Sequence, residues 1–149
     1  MKKFQGRVVV PGDVRHIPAL VSHGGLNTLA SFQGALQFGD KKVKCGDQSN
    51  PDLYEKEMAG KALCIPQTIG STTGGLVLYC ACSMRRQPAC ILFSKPIDSL
   101  AAAGAILADV WLKGGAYMAV VDSLGDEFLE TVKTGDSITV EPDGTVIIE

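Results

Sequence analysis

Gly60-Lys61-Ala62-Leu63-Cys64-Ile65-Pro66, followed by Gln67-Thr68-Ile69-Gly70-Ser71-Thr72-Thr73-Gly74-Gly75 and then by the apolar run Leu76 to Met84, is the stretch that decides the fold. A short apolar run stopped by proline reads as a buried strand. The small, hydroxyl-rich loop after it reads as a connection. The run from Leu76 to Met84 is continuous enough for a helix. Strand, loop and helix therefore follow one another in about two dozen residues.

The same alternation continues downstream. Pro88-Ala89-Cys90-Ile91-Leu92-Phe93 is a second buried strand. Asp98 to Asp109 is alanine-rich and helical in propensity, with Asp98 placed as its N-cap. Ala119-Val120-Val121 is a short strand. Ser137 to Glu141 and Thr145 to Glu149 flank the turn Pro142-Asp143-Gly144, which is a hairpin signal. Thr134-Gly135-Asp136 makes the turn leading into it.

Upstream, Gly6 to Val10 reads as a strand ended by Pro11-Gly12, and Ile17 to Val21 as another extended segment. Gly24 to Gly34 is small, polar and glycine-containing, and reads as a loop rather than a short helix. Residues 39–52 are polar with turn formers Gly46-Asp47 and Asn50-Pro51, and Leu53 to Met58 reads as one short helical turn. The sum is a mixed α/β domain, with helices packed on a sheet or small barrel. No repeat and no linker splits the chain, so residues 1–149 are expected to form one domain.

With 149 residues, of which 46% are hydrophobic and 20% charged, the chain can bury a core without disulfides. Its formal net charge of -2 and lack of a basic stripe argue against nucleic acid. No signal peptide and no apolar run of membrane-spanning length is read, so the expected location is cytoplasmic. The cysteines, Cys45, Cys64, Cys80, Cys82 and Cys90, are odd in number and lie in apolar contexts. They read as buried, reduced thiols rather than as metal ligands or a disulfide framework.

Three segments could carry chemistry. A Gly/Ser/Thr loop at a helix N-terminus, as in Ile65 to Gly75, leaves amides aligned with the positive end of a helix dipole. That suits a carboxylate or phosphate. Equally, Ser and Thr there can do no more than cap the helix. The loop lacks the lysine of a P-loop and the spacing of a nucleophile elbow. His16 and His23 lie upstream in loops and read as surface residues. Ser31-Phe32-Gln33-Gly34 offers a hydroxyl, an amide and bare backbone, or simply a turn. Asp47-Gln48-Ser49-Asn50-Pro51-Asp52 gathers acids without the EF-hand pattern, and reads as a solvated loop.

Together and in this order, these segments resemble the small subunit of the aconitase X family. The resemblance runs from Gly6 to the C-terminal hairpin. It rests on Ala19-Leu20-Val21, on Ser31-Phe32-Gln33-Gly34-Ala35 in place of Ser-Phe-Trp-Gly-Gly, and on Asp47-Gln48-Ser49-Asn50-Pro51. Its strongest part is Gly60-Lys61-Ala62-Leu63-Cys64-Ile65-Pro66 with Gly70-Ser71-Thr72-Thr73-Gly74. Pro88-Ala89 and the Gly135-Asp136 turn also fit.

The resemblance implies a swivelling β/β/α domain like the mobile domain of aconitase. It implies a hydro-lyase, active as a complex with a large subunit that carries an iron–sulfur cluster, while this chain holds no cofactor. Ser71 matches the serine taken as catalytic base in that superfamily. Gly70, Thr72, Thr73 and Gly74 are then expected to bind the substrate carboxylate, and Ser31 to contribute to the pocket. Where many relatives carry Gly-Arg before Gly-Ser, this chain has Thr68-Ile69. The missing arginine argues against a phosphorylated substrate. Dehydration of cis-3-hydroxy-L-proline to 1-pyrroline-2-carboxylate is therefore expected, with phosphomevalonate dehydration and a non-catalytic anion-binding module as alternatives.

Overall fold

A computed structural model describes residues 1–70, 72–112 and 118–149. Its strands are β1 (Lys2–Gln5), β2 (Arg7–Val10), β3 (Val14–Val21), β4 (Leu26–Asn27), β5 (Ala62–Ile65), β6 (Thr68–Ile69), β7 (Cys90–Phe93), β8 (Ala119–Asp122), β9 (Ser137–Val140) and β10 (Thr145–Ile148). Its helices are α1 (Thr28–Phe38), α2 (Gly74–Ser83), α3 (Ser99–Trp111) and α4 (Asp126–Thr131).

Eight strands form a sheet in the order β1-β10-β9-β3-β5-β7-β8-β2, and β4 pairs with β6 separately. The eight-residue β3 joins two halves. Its end, Ala19 to Val21, runs parallel to β5, which continues in parallel to β7 and β8. Its beginning, at Val14, Ile17 and Pro18, pairs antiparallel with β9, on which β10 and β1 build an antiparallel meander.

Strand alternation divides the core into two layers. Leu63, Ile65, Ile91, Phe93 and Val120 face one side, where α1, α2 and α3 supply Phe32, Leu78, Ala101 and Ala105. Ala62, Cys64, Cys90, Leu92, Ala119 and Val121 face the other side, against Phe128 of α4 and Ile138, Val140 and Val146 of the meander. Because the parallel strands are covered on both faces, they read as unbroken apolar runs instead of alternating ones. Helices on one face and a β-layer on the other make this the expected β/β/α domain.

Buried Asp122 fixes one edge. It accepts from Arg7 Nε at 2.9 Å and Nη2 at 2.6 Å, and from the Ile97 amide at 2.7 Å. One carboxylate thus ties β2, β8 and the chain entering α3.

Three expectations are corrected. Residues 28–38 form α1 where a loop was expected: Asn27 caps it by accepting from the Ala30 amide at 3.2 Å, and burial of Phe32 and Ala35 holds it. Leu53 to Met58 is a turn with isolated bridges at Tyr54 and Glu57, not a helical turn. Asp47 and Asn50 are buried instead of solvated. Asn50 Oδ1 accepts from the Asp52 and Leu53 amides, and its Nδ2 donates to Ser22 Oγ at 3.0 Å. This knot satisfies backbone that would otherwise be stranded while Val43, Leu53 and Met58 enter the core.

Candidate functional site

The connection from β5 through β6 to α2 carries the candidate loop, residues 70–73, of which Ser71 lies outside the described residues. β6 pairs parallel with β4, matching Leu26 with Thr68 and Asn27 with Ile69. This places Gly70 directly over the N-cap of α1. Gly70 has φ of +106°, and a Cβ there would stand 3.2 Å from the Asn27 side-chain amide. Both facts favour glycine.

Gly70 and Gly74 line a cleft of about 250 Å³. Its other walls come from Thr28, from Thr68 and Ile69 of β6, and from Asp98, Leu100 and Ala101. Thr28 is the first residue of α1, Gly74 is the first of α2, and Leu100 and Ala101 lie in the first turn of α3. Three helix N-termini therefore converge on one cleft, packed so closely that a Cβ on Gly74 would stand 3.1 Å from Thr28 Oγ1. None of the three helices has an acidic residue in its first turn. Amides in a helix's first turn have no partner within the helix and carry a partial positive charge. The α1 and α2 ends of the cleft therefore favour an anion, whereas the Leu100 and Ala101 amides of α3 are already taken by the Asp98 carboxylate.

Asp98 supplies the cleft's fixed negative charge at the α3 end. Its Oδ2 accepts from the Leu100 amide at 3.1 Å and the Ala101 amide at 3.0 Å, the N-cap expected from sequence. Its Oδ1 accepts from Thr68 Oγ1, which bridges β6 to α3 across the cleft. The described residues lining the cleft include no lysine or arginine.

Of the sequence-expected binders, Gly70 and Gly74 meet in the cleft. Thr73 is exposed at the N-cap position of α2. Thr72 is exposed and lines a neighbouring groove between α2 and α3 instead. Ser31 is fully buried on the inward face of α1, with Thr28, Phe32 and Ala35, and its Oγ has no hydrogen-bond partner among the described residues. The pocket contribution expected from Ser31 is thus not seen in this structure, because helical spacing turns it into the core. Thr28, one turn earlier, occupies the wall. Sequence reading missed Thr28 and missed Asp98's second role; the Asn27-Thr28 step and the Asp98 cap were the available signals.

The cysteine sulfurs do not converge. Cys64 and Cys90 lie in one core layer, Cys45 and Cys82 in the other, and Cys80 is half-buried on α2. Burial pushes the Cys90 thiol up to about 12 and the Cys82 thiol up to about 11, so both stay protonated at neutral pH. Such a donor set does not fit an iron–sulfur cluster, which needs thiolates gathered at one point. His16 and His23 are exposed, beside Glu149 and Asp52. No helix among the described residues is long and apolar enough to cross a membrane.

Comparison with known proteins agrees with this architecture. The chain is 34% identical over 133 residues to the phosphomevalonate dehydratase small subunit of Methanocella arvoryzae, covering 89% of this chain and 87% of that one. It is 28% identical over 141 residues to the protein of that name from Thermococcus kodakarensis, covering 95% and 91%. The crystal structure of Thermococcus kodakaraensis aconitase X in its holo-form matches with a TM-score of 0.80 at 26% identity, over 100% of this chain and 99% of that chain. The family model for the aconitase X swivel domain matches residues 3–148, and this chain belongs to that family.

Proposed function

We propose that this chain is the small subunit of a two-subunit hydro-lyase, that Ser71 is its proton-abstracting base, and that the cleft lined by Gly70 and Gly74 receives the substrate's carboxylate. The observation that carries the reading is the convergence of the α1, α2 and α3 N-termini on the cleft formed by Gly70 and Gly74. Removing a proton α to a carboxylate builds negative charge on that group. Aligned amides that are already in place stabilise such charge without reorganising. Ser71 stands in the chain between Gly70, which lines the cleft, and Thr72, which lines the neighbouring groove.

In this reading Ser71, as its alkoxide, takes the α-proton, the C–H electrons form the Cα–Cβ double bond, and the β-hydroxyl departs with the C–O electron pair and takes a proton from solvent to become water. Gly70 and Gly74 let the backbone approach the carboxylate, and Thr73 adds a hydroxyl at the start of α2. An iron–sulfur cluster would belong to the large subunit, where it would act as Lewis acid toward the leaving hydroxyl.

For the substrate, we infer cis-3-hydroxy-L-proline, whose C2=C3 enamine product loses its N–H proton and gains one at C3 to give 1-pyrroline-2-carboxylate. The described lining residues offer an acid, Asp98, and no base. That suits a substrate bearing one carboxylate and a ring ammonium better than a phosphorylated one. Phosphomevalonate is the second reading, favoured by the names of both curated relatives. Helix N-termini also accept phosphate. The test is to reconstitute the complex with its large subunit and assay both substrates. Water loss from hydroxyproline alone supports the first reading, and turnover of phosphomevalonate alone overturns it for the second. No turnover of either would count against the substrate class.

A further inference from the structure

α3 has the sequence Ser-Leu-Ala-Ala-Ala-Gly-Ala-Ile-Leu-Ala-Asp-Val-Trp, with Asp109 its single charged residue. A helix this apolar on every side is normally buried all round. Here only one face is covered. Trp111 is 63% exposed, and Leu100, Ile106, Leu107 and Val110 also face solvent. On the adjoining α2, Leu76 is 63% exposed. Between the two helices lies an apolar groove of about 360 Å³, lined by Leu76, Leu100, Leu107 and Trp111. Tyr79 and Trp111 meet edge to face across it, with centroids 6.2 Å apart. An apolar patch of this kind on a globular protein marks an interaction surface.

We infer that this α2–α3 face is the docking surface for the large subunit, and that the large subunit fills the groove with an apolar ridge of aliphatic or aromatic side chains. The inference rests on the function proposed above. Its independent support is the shared wall: Leu100 lines both the cleft and the groove, and Thr72 of the candidate loop and Gly75 in the first turn of α2 also line the groove. A stable interface covers about 800 Å² on each partner. A chain that closes over the cleft with such a footprint covers the groove as well.

The test is calorimetric titration of the purified large subunit with this chain and with Leu76→Asp and Leu107→Asp variants. Asp at position 76 falls in the first turn of α2, where a negative charge favours the helix, so that variant is expected to fold. Each substitution should weaken association roughly tenfold or more. Glu130→Lys on α4, which packs in the opposite layer, should leave association unchanged. Hydrogen exchange on the unmodified pair supplies a second measurement: amides of α2 and α3 should slow on complex formation and those of α4 should not. Undiminished binding by both folded variants, or no added protection on α2 and α3, overturns the docking site but leaves the proposed function standing. Failure of the unmodified chain to bind any large subunit overturns both. A self-dimer of this chain abolished by Leu107→Asp would assign the face to a second copy, and overturns the proposal.

Discussion

Gly75 of α2 and Gly104 of α3 touch backbone to backbone. A Cβ on Gly104 would come within 1.9 Å of the Gly75 carbonyl oxygen, and one on Gly75 within 2.1 Å of the Leu100 carbonyl oxygen. The pair lets α2 and α3 pack close, and so sets the distance between two of the three N-termini that meet at the cleft.

Gly104→Ala should therefore destabilise the protein even though alanine is the better helix former. The propensity gain is about 1 kcal/mol. Forcing the helices apart costs about 1–3 kcal/mol or more, and the contact here is with backbone, which cannot rotate away. A net loss of about 1 kcal/mol or more in urea unfolding is expected. Gly34→Ala provides the opposite sign: it lies within α1 and its Cβ would meet nothing within 4 Å. It should add about 0.5–1 kcal/mol. Equal effects from the two substitutions would refute the close-contact argument.

Asp98→Ala removes the α3 N-cap and the acceptor of Thr68. Loss of an N-cap costs about 1 kcal/mol, to be read as a lowered Tm. Thr68→Val removes only the bridge to β6 and should lower Tm less.

Acid should loosen the Arg7–Asp122 edge. Burial pulls the Asp122 carboxyl upward, but hydrogen bonds from Arg7 and the Ile97 amide, with the Arg7 charge, outweigh it and hold the group below the usual carboxylate range. A carboxyl depressed on folding contributes stability that is present above its unfolded value of about 3.9 and is lost as pH falls through the lower folded value. Arg7→Met removes the main depressing partner, so its acid-unfolding midpoint, followed by circular dichroism, should move to higher pH than that of the unmodified chain. An unshifted midpoint would show that the ion pair contributes nothing.

Gly70→Ala separates the site from the scaffold. A side chain at φ of +106°, against Asn27, is strained, at a cost of about 1–3 kcal/mol. The loop can relieve that strain by shifting, so activity of the reconstituted complex should fall further than stability does, by about 10- to 100-fold. A variant that loses stability yet keeps full turnover would place the loop outside the site.

The parts of the fold legible in sequence are those whose signals are local. Ala62–Ile65 and Cys90–Phe93 are apolar runs bounded by proline or turn residues, and Asp98 announces α3 by its position. α1 reads as a loop in sequence because Gly24 and Gly25 stand just before it and Gly34 within it; burial of Phe32 and Ala35 against other segments decides for the helix. α4 was missed although Asp126 and Glu127 sit in its first turn, where acids favour a helix start. At the site, Gly70 and Gly74 could be read from one loop. Thr28 and Asp98 reach the same cleft only through the β4–β6 pairing and the packing of α3 on α2, relations between segments far apart in the chain. Ser31 misled for the complementary reason: as part of a loop it could face a pocket, but one turn into a helix its spacing points it inward.

The proposed chemistry depends on Ser71. Ser71→Ala should be introduced into the complex with the large subunit, and single-substrate turnover measured after gel filtration has confirmed that both chains remain together. Loss of the base should lower kcat by about 10²- to 10⁴-fold, with KM changed little, since the carboxylate would still meet the helix N-termini. An intact complex that dehydrates its substrate at a near-normal rate would contradict the account.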